Sequence, residues 1–208
     1  MDPIDSIKPE KDSTLAMMLA AQARGWHVSV FTQSDLYIED GEVFVCVSDV
    51  TLFEGADKWF DVLDHRTVKA TEFDCVLMRK DPPFDMEYIY ATYLLELIER
   101  TGVPVLNRPA SIRDCNEKLF ALQFPQCTPS HLVSRNQEKL KAFHQKHGDV
   151  IYKPLDGMGG ASIFRAVADE HNLSVMIETL TQHGEVQTMV QRYIPEIKEG
   201  TTRILLIN

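Results

Sequence analysis

Polar and apolar positions change period several times along the chain, and each change marks an element. Leu15, Met18, Leu19 and Gln22 recur at helical spacing over residues 13–24, with Asp12 or Ser13 available as the cap and Gly25 as the stop. Residues 28–32 then alternate as a strand, and residues 36–47 place Asp40-Gly41 between two β-rich runs, a strong hairpin signal. Residues 51–71 give mixed signals and no assignment. Residues 73–78 read as a buried strand, 86–100 as a helix ended by Gly102, 103–106 as a strand and 111–124 as a helix. A turn-rich stretch at 125–129 precedes a strand at 132–134 and a helix at 137–146, opened by Asn136 and closed near Gly148. Short β runs at 150–152 and 162–164 bracket a glycine-rich loop. A helix at 173–180, a strand at 187–190 and an apolar β run at 203–207 complete the chain. Strands and helices alternate without internal repeat, so the expected class is α/β.

Composition narrows the function. With 44% hydrophobic and 25% charged residues over 208 positions, the chain has ordinary globular composition. A formal net charge of -10 argues against a nucleic-acid-binding surface and against an anionic membrane partner, since either favours a basic face. Cys46, Cys75, Cys115 and Cys127 are widely spaced, without a C-x-x-C pair or a metal-ligand rhythm, and read as reduced thiols. No apolar run approaches the roughly 18 residues of a membrane span. The expected location is the cytoplasm.

The chemistry concentrates in residues 151–165. Lys153 stands at the entrance of a loop carrying Gly157, Gly159 and Gly160, the composition of a phosphate cradle: glycines admit positive φ and close backbone approach, and a lysine adds a mobile point charge. Ser162 and Arg165 follow and are expected to join the anion-binding groups. A tight hairpin whose glycines only turn the chain is the alternative. The spacing matches neither a Walker loop nor a dinucleotide fingerprint. Residues 79–85 put Arg79, Lys80 and Asp81 beyond a buried strand and before a helix, where open α/β sheets bind ligands. A proline-stiffened surface turn is the competing reading there. Arg113, Asp114, Asn116, Glu117 and Lys118 read, from the residues alone, as solvated helical charges.

Several long motifs in one order then resemble a known family. Residues 1–4 (Met-Asp-Pro-Ile), 11–13 (Lys-Asp-Ser), 78–85 (Met-Arg-Lys-Asp-Pro-Pro-Phe-Asp), 111–120 (Ser-Ile-Arg-Asp-Cys-Asn-Glu-Lys-Leu-Phe) and the glycine loop are similar to the ATP-grasp ligases, and within them to the bacterial glutathione synthetase family. The resemblance implies an N-terminal open parallel α/β lobe for substrate at 1–117, then an incomplete ATP-grasp fold of α+β type, with a central lobe at 118–190 and the start of a C-terminal lobe at 191–208. It implies ATP-dependent joining of γ-glutamylcysteine and glycine through an acyl phosphate, releasing ADP and phosphate. Another ATP-grasp carboxylate-amine ligase and a non-catalytic ATP-binding module are the alternatives.

By the same resemblance Lys118 and Lys153 hold nucleotide phosphates, and Asp156, Gly157, Met158, Gly159, Gly160, Ala161 and Ser162 close over them. Gln191, Arg192, Tyr193 and Ile194 form the adenine-reading hinge, which from the residues alone would be an edge strand. Arg203 is the catalytic candidate near the reacting phosphate, and Asp2, Ser13, Arg79 and Lys80 cradle the dipeptide. Thr201 stands where family members place an acidic ribose contact. Mg2+ is implied, with its ligands expected beyond residue 208. The chain is thus expected to be an inactive fragment, lacking a first strand and a C-terminal part, of an enzyme that is a homo-oligomer at full length.

Overall fold

The computed structural model describes residues 1–55, 57–80, 83–157, 159–202 and 204, and it divides into two compact units, Met1–Cys115 and Asn116–Asn208. In the first unit, α1 (Ser13–Ala23) begins where the Asp12 carboxylate accepts the Leu15 N–H at 2.8 Å, and it stops at Gly25 with φ of 76°. The short β1 (Ser29–Val30) precedes a hairpin of β2 (Leu36–Glu39) and β3 (Glu42–Leu52). Its turn residues Asp40 and Gly41 have φ of 49° and 85°, the doubly positive geometry that makes Asp-Gly a hairpin signal.

The unassigned stretch 51–71 holds β4 (Phe60–Lys69), which pairs antiparallel with β3 along most of its length. β3 is therefore central, with β1 and β2 on its other side. The pairing shifts register between Asp49 and Val50, which leaves Leu63 as an extra residue on β4. Next come β5 (Val76–Leu77), α2 (Met86–Arg100), β6 (Val105–Leu106) and α3 (Pro109–Asp114). β5 and β6 pair in parallel. Val45, Val47, Leu95 and Ile98 lead a core between the larger sheet and α2, and Leu15, Met18, Val50 and Leu52 lead a second beneath α1.

The helix expected at 111–124 is corrected to α3, which ends at Asp114. Its cause is local: the Asn116 side chain accepts the Lys118 and Leu119 N–H groups at 3.1 and 3.0 Å, which opens a new turn in place of a continuing helix.

The second unit is a four-stranded antiparallel sheet in the order β7-β10-β8-β9, built from β7 (His131–Ser134), β8 (Val150–Pro154), β9 (Phe164–Ala166) and β10 (Thr188–Arg192), with α4 (Gln137–His147) and α5 (Leu173–Thr181). Asn136 caps α4 through the Lys139 N–H at 3.0 Å, and Gly148 at φ 73° ends it. Alternation along the strands sends Val150, Tyr152, Ala166 and Val190 against Leu140 of α4 and Ile177 and Leu180 of α5. The other face of the same strands is left for a site.

Candidate nucleotide-phosphate site

Between inward Tyr152 and the glycine loop, the period of two turns Lys153 to the face opposite α4 and α5. Met189 lies directly across from it on β10, and Gln191, the next residue on that face, pairs with His131 of β7. A cavity of about 490 Å3 opens on this face, and Lys118, Lys153, Met189, Gln191, Gly159 and Gly160 are among the residues lining it. β10 lies between β7 and β8, so the edge-strand reading of 191–194 is corrected: Gln191 and Arg192 end an interior strand. Half-buried Tyr193 donates its N–H to the Asp149 carbonyl at 2.9 Å, and Ile194 is exposed.

The loop is shaped by two different uses of glycine. Gly159 and Gly160 adopt φ of 64° and 82°, and Ser162 follows at 56°. Gly157 instead has no room for a side chain: a Cβ there would stand 2.8 Å from Pro154 Cγ. Asp156, Ala161 and Ser162 are exposed on the loop, while Met158 lies outside the described residues, as does Arg203.

Lys118 closes one side. Its ammonium donates to the Gly157 carbonyl at 2.6 Å, to the Leu155 carbonyl at 3.4 Å and to Glu117 Oε1 at 2.7 Å, and its side chain is only 9% exposed. The reading of Lys118 as a solvated charge is thereby corrected. Burial, then the neighbouring Lys118 charge, pushes the Lys153 ammonium below the usual lysine range, while Glu117 pulls the other way. Two ammonium groups facing one cavity form a locus for a polyanion.

Arg165 does not join them. Phe164 and Ala166 turn into the core, and the Arg165 guanidinium is occupied by the Asp149 carboxylate, with contacts of 2.9 and 2.7 Å, and by the Tyr193 ring at 3.8 Å. The expectation that Arg165 binds the anion is corrected accordingly. Hydrogen bonding from Arg165 holds the Asp149 carboxyl below the ordinary carboxylate range.

Polyphosphate fits this donor set, whereas a divalent cation does not. Hard cations call for converging oxygen ligands. Among the described residues Glu117 is the carboxylate lining the cavity, and it is already engaged by Lys118. No group of three or more His, Cys, Asp and Glu side chains among the described residues is arranged to hold a metal ion.

In the first unit the structure pairs the four dipeptide candidates. The Arg79 guanidinium donates to the Ser13 and Thr14 hydroxyls at 3.0 and 3.2 Å, and Lys80 forms an ion pair with Asp2. Both cations follow the carboxyl end of β5. A cavity of about 570 Å3 beside Asp2 and Lys80 is also lined by Thr32, Ser34, Glu87 and Tyr90. Sequence reasoning passed over Glu87 and Tyr90 because they occupy the first turns of α2, where exposed residues are unremarkable. All four cysteines are free thiols, and no described helix is long and apolar enough to cross a membrane.

Comparison with known proteins supplies the context. Residues 1–113 match the family model described as prokaryotic glutathione synthetase, N-terminal domain, and residues 117–208 match prokaryotic glutathione synthetase, ATP-grasp domain. The glutathione synthetase of Vibrio vulnificus is 51% identical over 208 residues, all of this chain and 65% of the relative. That of Pseudomonas aeruginosa is 54% identical over the same span, 66% of its length. The chain thus spans just under two thirds of the length of these curated relatives. Among solved structures, D-alanyl-alanine synthetase A from Vibrio cholerae superposes with a TM-score of 0.53 at 16% identity, covering 87% of this chain and 54% of the other. The ATP-grasp ligase PsnB, complexed with a phosphomimetic variant of its minimal precursor, Mg and ADP, superposes with a TM-score of 0.52 at 20% identity, covering 88% and 62%. At those identities the likeness concerns the fold.

Proposed function

This chain belongs to the prokaryotic glutathione synthetase family, and from that premise we propose that it serves the ATP-dependent ligation of γ-glutamylcysteine to glycine. The observation that carries the reading is the pair Lys118 and Lys153 facing one cavity beside a glycine loop. A carboxylate is a poor electrophile until one oxygen becomes a leaving group. In the proposed reaction, a cysteinyl carboxylate oxygen attacks the γ-phosphorus of ATP and ADP departs. The glycine amine then attacks the acyl carbon and loses a proton, and phosphate leaves with that oxygen.

The protein's part is to position anions and neutralise their charge. Lys118 and Lys153 hold the β and γ phosphates, the loop Gly157, Gly159 and Gly160 brings backbone close to them, and Met189 and Gln191 border the nucleotide's base. In the first unit, Arg79 has two hydroxyls as partners and no carboxylate among the described residues, which suits it to a carboxylate of the dipeptide. Lys80, with Asp2 and Ser13, completes that cradle. Mg2+ accompanies ATP in this reading, and the described residues provide no cluster of acidic side chains to hold it. Cytoplasmic location and self-association belong to the same proposal.

An oxygen-tracing experiment tests it. With γ-glutamylcysteine labelled with 18O in its cysteinyl carboxylate, protein produced at the length of its relatives should release phosphate carrying one 18O per glutathione formed. Unlabelled phosphate, or ADP release indifferent to glycine, would refute the acyl phosphate route.

A further inference from the structure

Lys118 has to be held against the glycine loop even when its ammonium turns from the Gly157 carbonyl to a phosphate. That ammonium is tied to the loop through the Gly157 and Leu155 carbonyls. A ligand competes for those same hydrogens, so something else must fix the lysine's backbone.

Asn116 has the geometry for that task. Its Oδ1 accepts the backbone N–H groups of Lys118 and Leu119, and its carbonyl accepts the Phe120 N–H at 2.8 Å, so it fixes the start of the turn bearing the lysine. Its Nδ2 donates to the Leu155 carbonyl at 3.3 Å, 39 residues further along the chain and directly ahead of the loop. One amide thus joins the lysine's backbone to the strand end that carries the glycines. Neither half of the amide is dispensable. A serine or aspartate can accept the two N–H groups, but serine is too short to reach Leu155 and aspartate would face that carbonyl with an anion.

We infer that Asn116 is a positioning residue, which sets the distance between Lys118 and the glycine loop and thereby the affinity of this site for nucleotide phosphates. The inference rests on the nucleotide reading above, but its central observation is independent of any ligand.

The test compares protein produced at the length of its relatives with its Asn116→Ser and Asn116→Asp variants, by calorimetric titration with ADP and with adenosine and by amide hydrogen exchange without ligand. Asn116→Ser should keep the melting temperature and the adenosine affinity and weaken ADP binding about tenfold, the low end of what displacing the charge-assisted Lys118–phosphate contact costs. Asn116→Asp should weaken ADP binding further, because it adds an anion beside the phosphates. In the ligand-free chain, residues 155–163 should exchange faster in Asn116→Ser while α4 and α5 keep their protection. Unchanged ADP affinity in Asn116→Ser would overturn the inference, as would equal losses for ADP and adenosine. Absence of ADP binding by the unmodified chain would overturn the nucleotide reading instead, and unchanged exchange at 155–163 would overturn the tether alone.

Discussion

Replacing Lys153 with methionine should stabilise the ligand-free protein and weaken its binding of nucleotide at the same time. The ammonium is half-buried on β8, its protonated form disfavoured first by burial and second by Lys118, with Glu117 compensating only in part. Methionine has similar reach and no charge, so Lys153→Met removes a repulsion without opening a cavity. The other side of the exchange is the lost phosphate contact. A hydrogen bond to a charged group contributes about 1.5 to 3 kcal/mol, which at about 1.4 kcal/mol per decade is a loss of about ten- to one-hundredfold in ADP affinity. The pH dependence has a definite sign. Because the folded-state value is depressed, the unfolded chain binds more protons between that value and the ordinary lysine value of about 10.4, so stability rises with pH across that window. The penalty is fully present below the folded value, and the variant's advantage in melting temperature should be largest near neutrality and shrink in alkali. Scanning calorimetry of both proteins at pH 7 and in alkali, with ADP titrations at neutral pH, reads both effects. A ligand-free melting temperature lowered by the substitution, or an unchanged ADP affinity, would refute the reasoning.

Three further outcomes are expected. Gly157→Ala should impair ADP binding, because the new methyl would lie 2.8 Å from Pro154 Cγ and the loop would have to shift; binding equal to the parent in a titration would show that the proline yields instead. Asp49, buried between Arg66 at 2.7 Å, His27 at 3.0 Å and the Ser29 hydroxyl, is held far below the carboxylate range chiefly by Arg66. Asp49→Asn should lower stability by about 1.5 kcal/mol, the low end for hydrogen bonds to a charge since its Arg66 partner is exposed. Because the folded value is depressed, that difference should persist above about pH 4 and decline below it, so a denaturant-measured difference constant down to pH 2 would contradict the assignment. Arg79→Gln should raise the apparent binding constant for γ-glutamylcysteine much more than that for ATP, and equal effects would remove Arg79 from the dipeptide site.

The sequence made some of this legible because single residues carried the information. Asp40-Gly41 admits little besides a hairpin, Gly102 ends α2, and the glycine loop announces itself by composition. β4 escaped because its residues from Leu63 to Thr67 are exposed on both faces and the extra residue at Leu63 breaks the alternation on which a strand is recognised. The helix expected at 111–124 had suitable periodicity but not the information that the Asn116 side chain would cap a new turn. Lys118 is the most instructive position. Its neighbours in sequence are charged and suggest solvent, whereas its burial comes from carbonyls near residue 156, which no local pattern reports. Arg165 fails in the opposite sense, because Asp149, 16 residues earlier and on the other side of the glycine loop, claims the guanidinium that proximity to the loop had suggested for an anion.

The placement of the phosphates is the claim on which the rest depends, and a crystal structure of the protein, produced at the length of its relatives and grown with ADP, tests it most directly. The account predicts the diphosphate between the Lys118 and Lys153 ammonium groups, under the backbone of Gly159 and Gly160, with the Lys118 contact to the Gly157 carbonyl exchanged for a phosphate oxygen while Asn116 keeps its contact to Leu155. A diphosphate bound instead at Arg79 and Lys80, or at Arg165 after displacement of Asp149, would contradict it.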